Sequence, residues 1–213
     1  MLAVAYFAAL LARSADRWQA RDADLDEIED VAGLVEFMRE VPDDEEEDEP
    51  DTVVLLLEQE DVWFAVVRLD AEEDPRLFVS DAAAVSRSAY GDLLQVGGLT
   101  PLGPDGSPGE RPAPGGAAAE DEEDDADGDS DGNGSGGGSG GGARPDLAAL
   151  AEAEPGERRP LHSGPAGDPE LLADFGVRTT RLVGLCRDGL VPADALADLA
   201  EALGAADELE EVR

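Results

Sequence analysis

Carboxylates and arginines are nearly all this chain has for chemistry. Its 213 residues hold 52 acids, 15 basic residues, one histidine and one cysteine. Glu58, Glu60, Asp61, Glu72, Glu73 and Asp74 gather near two expected hairpin ends. There they could hold Mg²⁺ or form an acid–base pair, as a metal-dependent hydrolase requires. Carboxylates at turns are more often simply solvated. Asp74-Pro75-Arg76 is more particular: an arginine opening a strand beside Asp74 or Asp81 can form a bidentate pair that fixes the turn. Trp63, Asp74 and Arg76 are the residues expected to touch a partner.

Other motifs lead nowhere chemical. Asp127-Gly128-Asp129-Ser130-Asp131-Gly132 matches the first half of a calcium loop, but the twelfth position is Gly138 rather than glutamate, and no helices flank it. His162, the single histidine, sits among glycine and proline, whereas a catalytic base needs a rigid setting. One histidine and one cysteine in different contexts cannot complete a zinc site. Cys186 falls at a core position of an expected helix and reads as a small buried hydrophobe; Asp188 offsets the neighbouring Arg187, so no reactive thiolate is expected. The Gly132–Gly142 tract lacks a following Lys-Ser/Thr and a preceding strand, which excludes a phosphate loop. No catalytic residue, cofactor or metal is therefore expected.

The elements that must position these residues centre on Thr52–Asp81. Val53–Leu57 is uncharged and suits a strand covered on both faces. A polar break follows, then Val62–Leu69, a second break ending at Pro75, and Arg76–Val79. Ser80 or Asp81 caps a helix from Ala82 to about Leu94. Upstream, Val4–Ala12 alternates Ala5, Phe7, Ala9 and Leu11 with Tyr6, Ala8 and Leu10, and pairs with a short strand at Trp18–Ala20. Asp24 or Asp26 opens a helix carrying Ile28, Val31, Leu34, Val35 and Met38 on one face, with Asp26 and Glu27 at its start and Arg39 near its end; Gly33 suggests close packing. A partner-binding role for this amphipathic helix is the alternative to packing on the sheet. Pro42 ends it, and the seven acids Asp43–Glu49 form a solvated loop, with an electrostatic tether as the alternative. The order β-β-α-β-β-β-α predicts an α+β fold, a small antiparallel sheet with helices on one face.

Three regions follow: residues 1–96 as the α+β domain, 97–167 as a disordered acidic Gly/Pro/Ser-rich linker, and 168–213 as a short helical segment. The linker composition cannot offset the entropy of ordering its backbone; Leu147–Ala153 is at most a transient helix. Beyond it, Pro169–Phe175 reads as a short helix closed by Gly176, Thr179 or Thr180 starts the next, and Pro192 opens one running to Leu203 and stopped by Gly204. A last helix spans Ala205–Val212. Leu196, Leu199, Ala200 and Leu203 share an apolar face, expected to dock on the first domain or on a partner.

All basic residues are arginine, and the net charge is −37. The excess is distributed: −19 over residues 1–99, −11 over 100–167 and −7 over 168–213. Such a surface repels polyanions, so direct nucleic-acid binding is not expected. A lone cysteine suits a reducing compartment. Met1–Ala12 is apolar but too short to span a bilayer and has no basic residue before it, so it reads as a strand rather than a signal peptide. A cytoplasmic protein without membrane contact is expected.

AYFAALLA (5–12), EQEDVWFAVVRLDAEEDPRLFVSDAAAVSRSAYGDLL (58–94), GDPELLADFGV (167–177) and GLVPADALADLA (189–200) resemble the actinobacterial tRNA adenosine deaminase-associated proteins. The resemblance covers about two thirds of the chain and implies a link to the tRNA-editing deaminase, with no catalytic residues carried over. Deaminase chemistry itself needs a Pro-Cys-x-x-Cys run, and this chain has one cysteine. The expected function is thus a non-enzymatic accessory protein contacting a tRNA adenosine deaminase or another basic protein. The alternatives are an acidic nucleic-acid mimic regulating a basic RNA-binding protein, and the metal-dependent hydrolase above.

Overall fold

The computed structural model describes residues 6–15, 17–40, 50–59, 62–71, 74–109, 163–187 and 191–213. Among the described residues, six strands form one antiparallel sheet in the order β2-β1-β3-β4-β5-β6. They are β1 (Tyr6–Ser14), β2 (Arg17–Asp22), β3 (Thr52–Gln59), β4 (Trp63–Asp70), β5 (Arg76–Val79) and β6 (Ala166–Gly167). The central strand β3 is buried nearly throughout, as its uncharged run predicts. Successive side chains point to opposite faces. Val53, Leu55 and Leu57 enter one core with Ala8, Leu10, Ala65 and Val67. Val54 and Leu56 enter the other with Ala9, Leu11, Phe64, Val66 and Phe78.

The first core is covered by α1 (Val31–Arg39), α2 (Ala82–Arg87) and α3 (Tyr90–Leu93), which contribute Leu34, Met38, Val85 and Leu93. The helices of residues 1–96 thus lie on one face of the sheet, as expected. The second core is closed by the C-terminal helices α4 (Thr179–Gly184), α5 (Pro192–Leu203) and α6 (Ala206–Glu211). Leu182, Leu196, Leu199, Ala200, Leu203 and Leu209 are all buried there. Trp18 ties this layer down by donating its indole N–H to the Leu203 carbonyl at 2.8 Å. Pro192 at the first turn of α5 and Gly204 in the left-handed region at its end bound that helix as expected.

Four local expectations are corrected. Helix α1 begins at Val31, capped by Asp30, whose carboxylate accepts the Gly33 amide at 2.8 Å. Asp24 instead holds a turn by accepting the Asp26 amide at 3.0 Å, and Asp26 and Glu27 precede the helix. A side-chain-to-backbone bond competes here with helix formation. Gly33 is not a close-packing site, since a Cβ there would meet its neighbours at 3.5 Å. The helix expected over Ala82–Leu94 breaks at Ser88, whose backbone is extended and whose hydroxyl donates to the Val85 carbonyl at 2.7 Å. Gly91 then passes so near α2 that a Cβ would lie 2.8 Å from the Ser86 backbone. Pro169–Phe175 is helical only as the 3₁₀ turn Ala173–Phe175.

Ordered structure also enters the region read as linker. Val96–Gly98 is a 3₁₀ turn, and Pro101 bridges Ala166 while Leu102 bridges Pro108. Gly167 follows at φ +110°, where a Cβ would fall 2.1 Å from the Leu77 carbonyl oxygen, so only glycine fits. Asp43–Glu49, Pro42, the Asp127–Gly132 loop, His162 and residues 110–162 of the expected linker lie outside the described residues.

Candidate functional site

The three residues expected to touch a partner are not brought together. Trp63 is 1 % exposed; its indole donates to Gln59 Oε1 at 3.1 Å and its ring stands edge-on to Tyr90 at 6.0 Å. It belongs to the first core and offers no surface, because the strand alternation that places Ala65 and Val67 inside also turns Trp63 inside. Asp74 is exposed at the approach to β5. Arg76 faces the second core and pairs with neither Asp74 nor Asp81. Its guanidinium reaches Asp70 at 3.4 Å, Asp168 at 3.7 Å and the Leu171 carbonyl at 3.2 Å. Asp81 is occupied as the cap of α2, accepting the Ala84 amide at 2.7 Å.

The densest polar constellation is one the sequence did not announce. Arg68 stands opposite Arg76 in the ladder and is 6 % exposed. Its guanidinium donates to the Asp70 carboxylate at 2.8 Å, to the Leu171 carbonyl at 2.7 Å, and bidentately to Asp174, with the Nη2–Oδ2 arm at 2.8 Å. Thr52 donates to Asp70 at 2.7 Å. The Phe175 ring lies under two guanidiniums, 4.7 Å from Arg68 and 5.2 Å from Arg13. Burial works against the Arg68 charge, but its bonds to Asp174 and Asp70 outweigh that and hold its proton more tightly than usual. The hydrogen bond from Arg68 in turn pulls the Asp174 carboxyl below its ordinary range. The Arg68 charge is answered by Asp70 and Asp174, so the cluster pins the C-terminal layer to the sheet; among the described residues Arg76 Nε is a buried side-chain atom without a hydrogen bond.

The expected carboxylate cluster is not assembled by the members that are described. Glu58 pairs with Arg213 at 3.5 Å at one end of β4, and Asp74 lies beyond the other end, roughly 20 Å away for a strand of this length. Glu60, Asp61, Glu72 and Glu73 lie outside the described residues. Among the described residues no three His, Cys, Asp or Glu side chains are grouped to hold a metal ion. Cys186 donates to the Leu182 carbonyl, and burial, with a smaller contribution from Asp81, pushes its thiol up to about 12. An open cleft of about 660 Å³ beside the end of α1 is lined by Met38, Arg39, Pro50, Asp51, Val53, Leu69 and Ala71, without a nucleophile.

What remains is surface. Between residues 22 and 40, Asp22, Asp24, Asp26, Glu27, Glu29, Asp30, Glu36 and Glu40 are all exposed, against Arg39 alone. Tyr6 anchors the inner side of this segment: it accepts the Leu25 amide at 3.1 Å and donates to Asp26 at 3.2 Å. Tyr90 stacks edge-on against it at 5.1 Å. Burial raises both phenols above their ordinary range, aided by the neighbouring carboxylates.

The sequence pattern of the Rv3753c-like tRNA adenosine deaminase-associated proteins matches residues 6–131, more than half of the chain. The chain belongs to that family. No curated protein and no solved structure matches it. The matched range takes in β1–β5, α1–α3 and the whole acidic segment. Helices α4–α6 and the Asp174 half of the arginine cluster lie beyond it. Among the described residues no helix is long and apolar enough to cross a membrane.

Proposed function

We propose that this protein is a non-enzymatic, cytoplasmic accessory protein that binds a tRNA adenosine deaminase, meeting a basic patch with the carboxylates of residues 22–40. The observation that carries this reading is the eight exposed acids on one continuous loop-and-helix segment, within a family named for association with that deaminase. Complementary charge raises association rate and selects partners more than it adds affinity, and a surface of this sign does not itself attract RNA.

The test is co-purification of the tagged chain with the deaminase at low and at high salt. Retention at low salt and loss at high salt is expected; no association at low salt removes the idea. The same row of carboxylates also favours a second reading, in which the segment occupies a basic RNA groove of its partner. That reading predicts competition with tRNA, reduced when Asp43–Glu49 or the acids of residues 22–40 are neutralised.

A further inference from the structure

Residues 23–30 form neither helix nor strand, yet residues 22–26 alternate as a strand would. Ala23 and Leu25 are buried, while Asp22, Asp24 and Asp26 stand exposed. The Ala23 amide donates to the Ala8 carbonyl at 2.9 Å, one step beyond the end of β2. Two residues on, the Leu25 amide donates to the Tyr6 phenol oxygen at 3.1 Å. Asp24 and Asp26 close round the same oxygen, with their Oδ1 atoms 3.4 and 3.2 Å from it. The Asp26 amide donates to Asp24 Oδ1 at 3.0 Å. One phenol thus gathers three consecutive residues of the loop. Its ring is held edge-on by Tyr90 at 5.1 Å, and Tyr90 in turn meets the buried Trp63.

A phenol in this place matters for charge. Elsewhere arginines hold the acids: Arg68 holds Asp70 and Asp174, Arg76 holds Asp168, Arg181 holds Asp198 and Arg213 holds Glu58. Each such pair cancels the charge that it orders. Among the described residues no arginine pairs with Asp24 or Asp26. The Tyr6 hydroxyl offers one proton and no charge. Burial, partly offset by the Leu25 amide, raises its pKa, so it remains a donor through the physiological range. It orders two carboxylates and leaves both charges to a partner. We propose that Tyr6 is the positioning residue of the acidic surface, its hydroxyl presenting Asp24 and Asp26 in fixed places to the basic groups of the deaminase. The inference rests on the deaminase contact proposed above. Carboxylates already in place lose less freedom on binding, so the ordering adds affinity without adding charge.

Tyr6→Phe keeps the ring and the net charge and removes only the hydroxyl. The test is the binding kinetics of the full chain with the purified tRNA adenosine deaminase, followed from low to high salt. The association rate and its salt dependence are expected to match the parent, because steering follows total charge. The dissociation rate is expected to rise about fivefold, and amide hydrogen exchange at Leu25 and Asp26 to quicken with it. Should that variant fail to fold, a second comparison decides. Asp26→Ala and Glu27→Ala each remove one charge, but of the two only Asp26 bonds to the phenol. Asp26→Ala is expected to weaken binding about threefold more than Glu27→Ala. If the parent binds and Tyr6→Phe binds equally tightly, or if the two alanine variants weaken binding alike, the positioning role is overturned and the deaminase contact stands. A parent that does not bind at low salt overturns both.

Discussion

Arg68 carries a full charge into the second face of the sheet and is tolerated there because Asp70, Asp174 and the Leu171 carbonyl surround it. Arg68→Ala leaves that collar of acceptors unanswered and is expected to cost about 3–5 kcal/mol in urea unfolding. Asp174→Ala is milder, about 1 kcal/mol, because the Asp174 side chain is 55 % exposed and its charge is screened. The Asp174 carboxyl is depressed in the fold, so its contribution is present above the ordinary aspartate range and is lost as pH falls through the lower folded value. Unfolding of Asp174→Asn is therefore less sensitive to acid than that of the parent. The two tyrosines invert the sign. Tyr6 and Tyr90 are the chain's only tyrosines, and both are raised. Their stabilisation is intact below about pH 10 and is lost as pH rises toward the folded values. Absorbance at 295 nm is expected to show no tyrosinate transition near pH 10 before unfolding; a transition of one or two groups there contradicts the buried Tyr6–Tyr90 contact. Arg68 was visible in the sequence as a charge inside an apolar strand. Its partners were not, because Asp174 lies far along the chain in a turn without periodicity.

At the scale of elements, the strands were legible because β3 and β4 are largely apolar runs buried on both faces, and β5 starts just past Pro75. Helix α5 was equally plain from Pro192 and Gly204. Where side chains bond their own backbone, periodicity misled: Asp24 delays α1 and Ser88 splits α2 from α3. The glycines separate two cases that composition treats alike. Gly33→Ala is expected to stabilise by up to about 1 kcal/mol, because the added methyl meets only ordinary contacts. Gly167→Ala is expected to unfold the β5–β6 pairing, which thermal melting of both variants will compare. The Gly109 amide meets the Pro101 carbonyl at 2.7 Å and the Leu102 amide meets the Pro165 carbonyl at 2.9 Å.

For the whole molecule, charge and layering answer different questions. Two helical layers bury both faces of the sheet, so an interaction must use edges, loops and outer helix faces. Trp63 was expected at a partner contact; burying both faces of the sheet instead commits it to the core. The acidic excess and the eight acids of residues 22–40 were readable from the sequence, but that all eight stand exposed emerges only once β2 and α1 are in place. A partner meeting this surface contributes basic groups, and ion pairs at a rim are weakened by salt. The decisive measurement is the dissociation constant of the purified chain for the tRNA adenosine deaminase, followed as salt rises. Binding that weakens steadily with salt, and weakens further in Glu27→Lys, Glu29→Lys and Glu36→Lys with the fold unchanged by circular dichroism, is the predicted result. No binding at low salt, or binding indifferent to both salt and these substitutions, contradicts it.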